Sequence, residues 1–146
     1  MIGPGMNSQV GKNSETHAVD DDAGLQGERL RKLQHVSKAR DRELLTQLEG
    51  ALRSSMSGKG FDGLKGDRYH DACDKLGREY NIIAMKYLQS GANAVALDLL
   101  RGAESVITEA GPCHRLDSLK ALTCNNLGCY FRREGNDSCV IENRSP

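Results

Sequence analysis

At 146 residues the chain has room for one domain, and its 20 basic residues balance its 20 acidic ones, so no net charge draws it to nucleic acid or to an anionic membrane surface. With 38% hydrophobic residues, 4% aromatic and no Trp, a core has to be built from Leu, Ile, Val and Ala, which suits thin stacked helical layers. No apolar run approaches the roughly 18 residues of a membrane span. No secretory signal is visible between Met1 and Asp22, and the expected location is the cytoplasm. There the five irregularly spaced cysteines stay reduced, and the sequons at Asn136 and Asn143 meet no glycosylation machinery.

Residues 1–26 are rich in Gly, Ser, Asn and Asp and read as a disordered tail. Across 27–56, Leu30, Leu33, Val36, Leu44, Leu45, Leu48 and Leu52 recur at helical spacings. This predicts one amphipathic helix from about Glu28 to Ser55, provided Ala39 or Arg40 turns inward across the step from Val36 to Leu44. Its polar face would carry Arg29, Arg31, Lys32, Lys38, Arg40 and Arg42. Four glycines make 57–66 a linker. A helix then starts near Asp67, a plausible N-cap, with Tyr69, Ala72, Cys73, Leu76, Tyr80, Ile83, Ala84, Tyr87 and Leu88 inside, and ends at Gly91.

A second helix is expected from Asn93 to Ala110, with Ala96, Leu99, Leu100, Ala103, Val106, Ile107 and Ala110 inside and Gly111-Pro112 as its stop. A third is expected from Leu116 to Glu134, burying Leu116, Leu119, Thr123, Leu127 and Phe131 and stopping at Gly135. Residues 136–146 show no period and read as an irregular tail. With no convincing strand, the chain is expected to be all-α.

Two of these helices share a pattern. Tyr80-x2-Ile83-Ala84-x2-Tyr87 followed by Gly91 recurs as Cys124-x2-Leu127-Gly128-x2-Phe131 followed by Gly135, 44 residues later. Ala96, Leu100 and Ala103 continue the first copy. Residues 77–135 thus resemble the tetratricopeptide repeat, in the long-period form of kinesin light chain. The resemblance implies antiparallel helical hairpins stacked as a short solenoid, with Ala84 and Ala96 at the close crossing, Tyr87 and Leu100 beside it, and Ala103 receiving the next helix. Tyr80 and Cys124 stand where the family favours Trp, Ala84 stands for Gly, and Val140 and Arg144 do not complete the second repeat. The last helix should then expose an apolar stripe. Helix 28–55 could cap it, a second copy could cover it by self-association through 116–134, or the chain could be a piece of a longer repeat protein.

The resemblance also implies a peptide groove along the first helix of each repeat. By phase it would be lined by Arg78, Asn81, Met85 and Leu88, then Leu122, Asn125, Cys129 and Arg132. Asn81 and Asn125 would bond a ligand backbone, while Arg78 and Arg132 would meet carboxylates. Paired basic residues one turn apart, as in clamps for C-terminal carboxylates, are missing at Asn81/Met85 and Asn125/Cys129.

No enzyme, metal or cofactor is expected. Gly58-x-Gly60-x-x-Gly63 follows a helix rather than a strand, so it is not a dinucleotide loop. Cys113, His114, Cys124, Cys129 and Cys139 contain no C-x2-C pair. His70 and Cys73 share a helix face without an orienting acid. The expected function is a non-enzymatic protein-binding module or scaffold. The alternative places activity in the basic helix 28–53, directed at calmodulin or an acidic partner.

Overall fold

The computed structural model describes residues 24–56 and 66–142, with side chains through Gly135. The described chain is all-helical: α1 over residues 24–32, α2 Ala39–Met56, α3 Asp67–Gln89, α4 Asn93–Ala110 and α5 Asp117–Glu142, with short 3-10 turns at Leu33–His35 and His114–Leu116. The tail over 1–23, the linker over 57–65 with its glycine motif, and residues 143–146 lie outside the described residues.

The expected helix 28–55 is two helices. Val36 adopts extended backbone, φ −75° and ψ 113°, at the step where the apolar spacing fails. Arg42 Nη1 donates to the Val36 carbonyl (3.0 Å), and the Lys38 N–H donates to the Tyr87 hydroxyl (3.0 Å). The chain can therefore turn without leaving these two backbone groups unpaired. Neither Ala39 nor Arg40 faces inward; both are exposed, and Asp41 is buried instead. Residues 24–26 belong to α1, so helix begins within the expected tail.

Helix α3 starts after an extended Gly66 rather than at an Asp67 cap. It closes in a turn where Gly91 N–H donates to the Leu88 carbonyl and Ala92 N–H to the Tyr87 carbonyl. These are the paired bonds of a Schellman motif. They require the left-handed Gly91, φ +89°.

The elements pack by register. Tyr80 meets Gly102 across the Gly91 turn, so α3 and α4 run antiparallel. Lys38 against Tyr87 and Glu49 against Tyr80 set α2 antiparallel to α3. Gln26 and Arg53 pair near one end of α1–α2, Val36 and Arg42 at the other. Helix α1 then returns onto α4 through Lys32–Asp98 and Arg29–Glu109. The four helices close a ring around Leu33, Leu45, Leu52, Tyr69, Leu76, Tyr80, Leu99 and Val106, all at most 2% exposed.

Helix α5 packs outside this ring, parallel to α3. Gly77 faces Leu119, and Asn81 donates to Thr123, forty-two positions on. Leu116, Leu119, Thr123 and Leu127 are buried as expected, but Tyr130 is buried in place of Phe131, which is 48% exposed. The stripe expected to drive self-association is thus largely covered within the chain. Gly135 does not stop α5, whose backbone continues as helix to Glu142 through part of the expected tail.

Two helix-interior glycines have opposite surroundings. A Cβ at Gly102 would lie 2.9 Å from the Tyr80 ring, whereas one at Gly50 would meet nothing within 4 Å. Gly50→Ala should raise stability by about 1 kcal/mol through helix propensity. Gly102→Ala should lower it by about 1–3 kcal/mol through overpacking. Urea unfolding of both variants checks the contrast.

Candidate functional site

At the centre of the ring lies an ion-paired joint that four helices build together. Arg29 of α1 donates from Nε to Glu49 Oε2 (2.7 Å), from Nη2 to Glu49 Oε1 (3.0 Å), and from Nη1 to Glu109 Oε2 (2.7 Å) and Ser105 Oγ (2.8 Å). The Tyr80 hydroxyl donates to Glu49 Oε2 (2.6 Å), and Gln26 Nε2 donates to the Glu49 backbone carbonyl (3.0 Å). Arg29 is 4% exposed and Glu49 fully enclosed. A planar guanidinium suits this place because one group satisfies two carboxylates and a hydroxyl.

Burial alone would lower the Arg29 pKa, but its bonds to Glu49 and Glu109 outweigh that and hold the charge. Burial, then the adjacent Glu49 charge, pushes the Tyr80 phenol well above the ordinary tyrosine range. Burial and the neighbouring Cys73 push Tyr69 the same way.

A folded-state pKa raised above the unfolded value gives stability that is complete below the unfolded pKa near 10 and lost as pH rises beyond it. Tyr80 should contribute a loss of about 1.4 kcal/mol per pH unit above about pH 10. Urea unfolding across that range should show the decline, and Tyr80→Phe should remove its own share of the slope.

The cleft beside this joint, between α1 and α4, has a volume of about 140 Å³ and is lined by Leu25, Lys32, Leu99 and Arg101 among others. Ligand pockets run from about 300 Å³ upward, so this one is small for a cofactor. The basic residues of the first helical segment do not form one face. Arg29 is in the core, Lys32 pairs with Glu28 and Asp98, and Arg42 bonds the Val36 carbonyl. Among the described residues, no three His, Cys, Asp or Glu side chains converge as metal ligands, and Cys73 is fully buried.

The expected groove residues divide. Arg78 (on α3, paired with Asp74 at 2.9 Å), Met85, Leu122, Asn125, Cys129 and Arg132 lie exposed or partly buried on the α3 and α5 surfaces. Asn81 and Leu88 do not: they are 1% and 3% exposed. Asn81 Nδ2 donates to the Gly77 carbonyl and to Thr123 Oγ1 (both 2.9 Å), and its Oδ1 accepts from Asn126 Nδ2 (2.8 Å). Its polar atoms join α3 to α5 and are not offered to a ligand.

Of the repeat-pattern residues, Tyr80, Ile83, Ala84, Tyr87, Ala96, Leu100, Ala103 and Leu127 are buried, whereas Gly128 and Phe131 are exposed. The sequence reading passed over Ile82, which is 49% exposed and points outward between the two sides of α3. Its polar neighbours on the wheel, Lys75, Glu79, Lys86 and Gln89, could have marked it as an apolar residue on a wet face.

On the other side of α3, a cleft of about 570 Å³ against α2 is lined by Lys38, Arg40, Asp41, Leu44, Glu79, Ile83 and Lys86. None of the described helices is long and apolar enough to cross a membrane. No protein-family model, curated protein or solved structure matches the chain.

Proposed function

We propose that this chain is a non-enzymatic protein–protein interaction module that binds a peptide or helix of a partner on the outer face of α3 and α5. The observation that carries the reading is Ile82, half exposed in the middle of α3's outward arc, with partly buried Met85 one helical turn further on and partly buried Leu122 on α5. Arg78 stands one turn before Ile82, and Asn125 and Arg132 are exposed on α5. An apolar centre with a polar rim, presented by rigid helices, is the surface a helix or strand of a partner can cover.

The tetratricopeptide-like reading is supported by the α3–α4 hairpin with Ala84 and Ala96 fully buried, and by α5 lying parallel to α3 at an offset close to the 44-residue sequence period. The return of α1 onto α4 is additional to a simple row of hairpins.

The test is selection of peptides from a display library on the folded chain, followed by amide-shift mapping. Selected ligands should shift α3 and α5, and Ile82→Asp should weaken them by at least about tenfold, as expected of a central contact. Ligands that bind Ile82→Asp as well as the unaltered chain would overturn the reading.

A further inference from the structure

We infer that the α2/α3 cleft is the docking site for an acidic peptide segment of the partner, an inference that rests on the interaction-module reading and names the chemistry of what is bound. Lys38, Arg40 and Lys86 line the cleft, and all three are exposed. Among the described residues these three side chains form no ion pair, and all three line the same cleft. Three cations against the two carboxylates of Asp41 and Glu79 leave the cleft net positive and raise the local concentration of anionic ligands, although the chain as a whole is neutral.

The floor favours a peptide over other anions. Leu44, 37% exposed, gives it an apolar contact, with the buried Ile83 beneath. Asp41 is 9% exposed, and its Oδ2 is enclosed without a hydrogen-bond partner. A buried carboxylate oxygen lacking a donor is unusual. A small rotation of the side chain would present it to a backbone N–H or hydroxyl arriving in the cleft. An acidic segment with one apolar residue supplies all three matches: carboxylates for the lysines and arginine, a methyl-bearing side chain for Leu44, and a donor for Asp41. A polyphosphate backbone would supply only the first, and the cleft offers it no aromatic side chain for base stacking.

The site continues the face that carries Ile82. Glu79 and Lys86 flank Ile82 on the α2 side of α3, as Arg78 and Met85 do on the α5 side. A partner segment could therefore cross α3 and anchor in both places.

The test uses a short synthetic peptide of alternating Glu and Leu, its Lys-for-Glu counterpart, and a single-stranded oligonucleotide of equal charge, titrated at low salt with fluorescence anisotropy and amide shifts. The acidic peptide should bind and shift Asp41, Leu44 and Ile83. Lys38→Glu/Lys86→Glu should weaken it at least about tenfold, while Lys38→Arg/Lys86→Arg should stay within about threefold. Failure of the acidic peptide to bind, indifference to the charge reversal, or tighter binding of the oligonucleotide in the cleft would each overturn the inference. The interaction-module reading stands or falls separately, on display-selected ligands and their response to Ile82→Asp.

Discussion

Arg29→Ala should destabilise the chain by about 3–5 kcal/mol, because it leaves two buried carboxylates facing each other without their cation. Glu49 is fully enclosed and Glu109 is 12% exposed, so neither can recover water in place of the guanidinium. The loss should appear as a lower urea midpoint. Arg31→Ala, at an exposed position two residues away, should stay within about 0.5 kcal/mol. A double-mutant cycle with Glu49→Ala separates the ion pair from ordinary packing. The double variant should be more stable than the sum of the single losses predicts, by at least about 1 kcal/mol, because the second substitution removes the charge that the first one orphaned. Additive losses would mean that the joint contributes through side-chain volume rather than through charge. The same variant changes how the basic segment must be tested. Alanine at Arg29 would weaken binding through the fold as well as through the surface, so Arg31, Lys38 and Arg40 report on that surface more cleanly.

This joint also shows where sequence reasoning fails. Periodicity counts apolar residues, and it chose Leu30, Leu44 and Leu48 for the inner stripe of the first segment. The structure leaves Leu44 exposed and Leu30 and Leu48 only partly buried. It buries Gln26, Arg29, Asp41 and Glu49 instead. A buried ion pair looks like surface in one dimension; positions 29, 49, 80 and 109 become partners only once four helices have met. By contrast, α4 was legible from end to end, since its apolar spacing is unbroken and Gly111 closes it with φ +77°. Gly135 carried no such signal. A glycine inside a helix costs about 1 kcal/mol, which neighbouring turns can absorb, and α5 runs through it. Gly91 differs because two carbonyls of α3 are satisfied only if that residue turns left-handed. The α3–α5 pairing lay outside the sequence reading, which set the next helix against Ala103 of α4, and the exchange of Tyr130 for Phe131 depends on how α5 rolls against α4, where Asn93 donates to Glu134 (2.6 Å).

Asn81→Ala should cost about 2–4 kcal/mol, since it leaves Asn126 and Thr123 without a partner in a site closed to water, at about 1–3 kcal/mol for each orphaned group. Asn126 and Thr123 are 7% and 2% exposed, and α5 meets α3 through them. Loosened packing should show as early hydrogen exchange in α5, ahead of the α1–α4 ring, because the joint holds α5 onto α3. Asn125→Ala, at the exposed position one residue before Asn126, should stay within about 0.5 kcal/mol. The two asparagines occupy equivalent places in the repeat, and the sequence assigned both to a ligand. If both were ligand contacts, each alanine variant would keep its stability and lose binding. The hydrogen bonds require the opposite for Asn81: its loss should lower stability first, and any weakening of a partner on α5 should follow from α5 leaving its place. Comparing the urea midpoint of Asn81→Ala with its ligand affinity, measured well below that midpoint, separates the two. A stable variant with lost affinity would return Asn81 to the binding face, whereas a destabilised variant whose folded fraction binds normally places it in the joint.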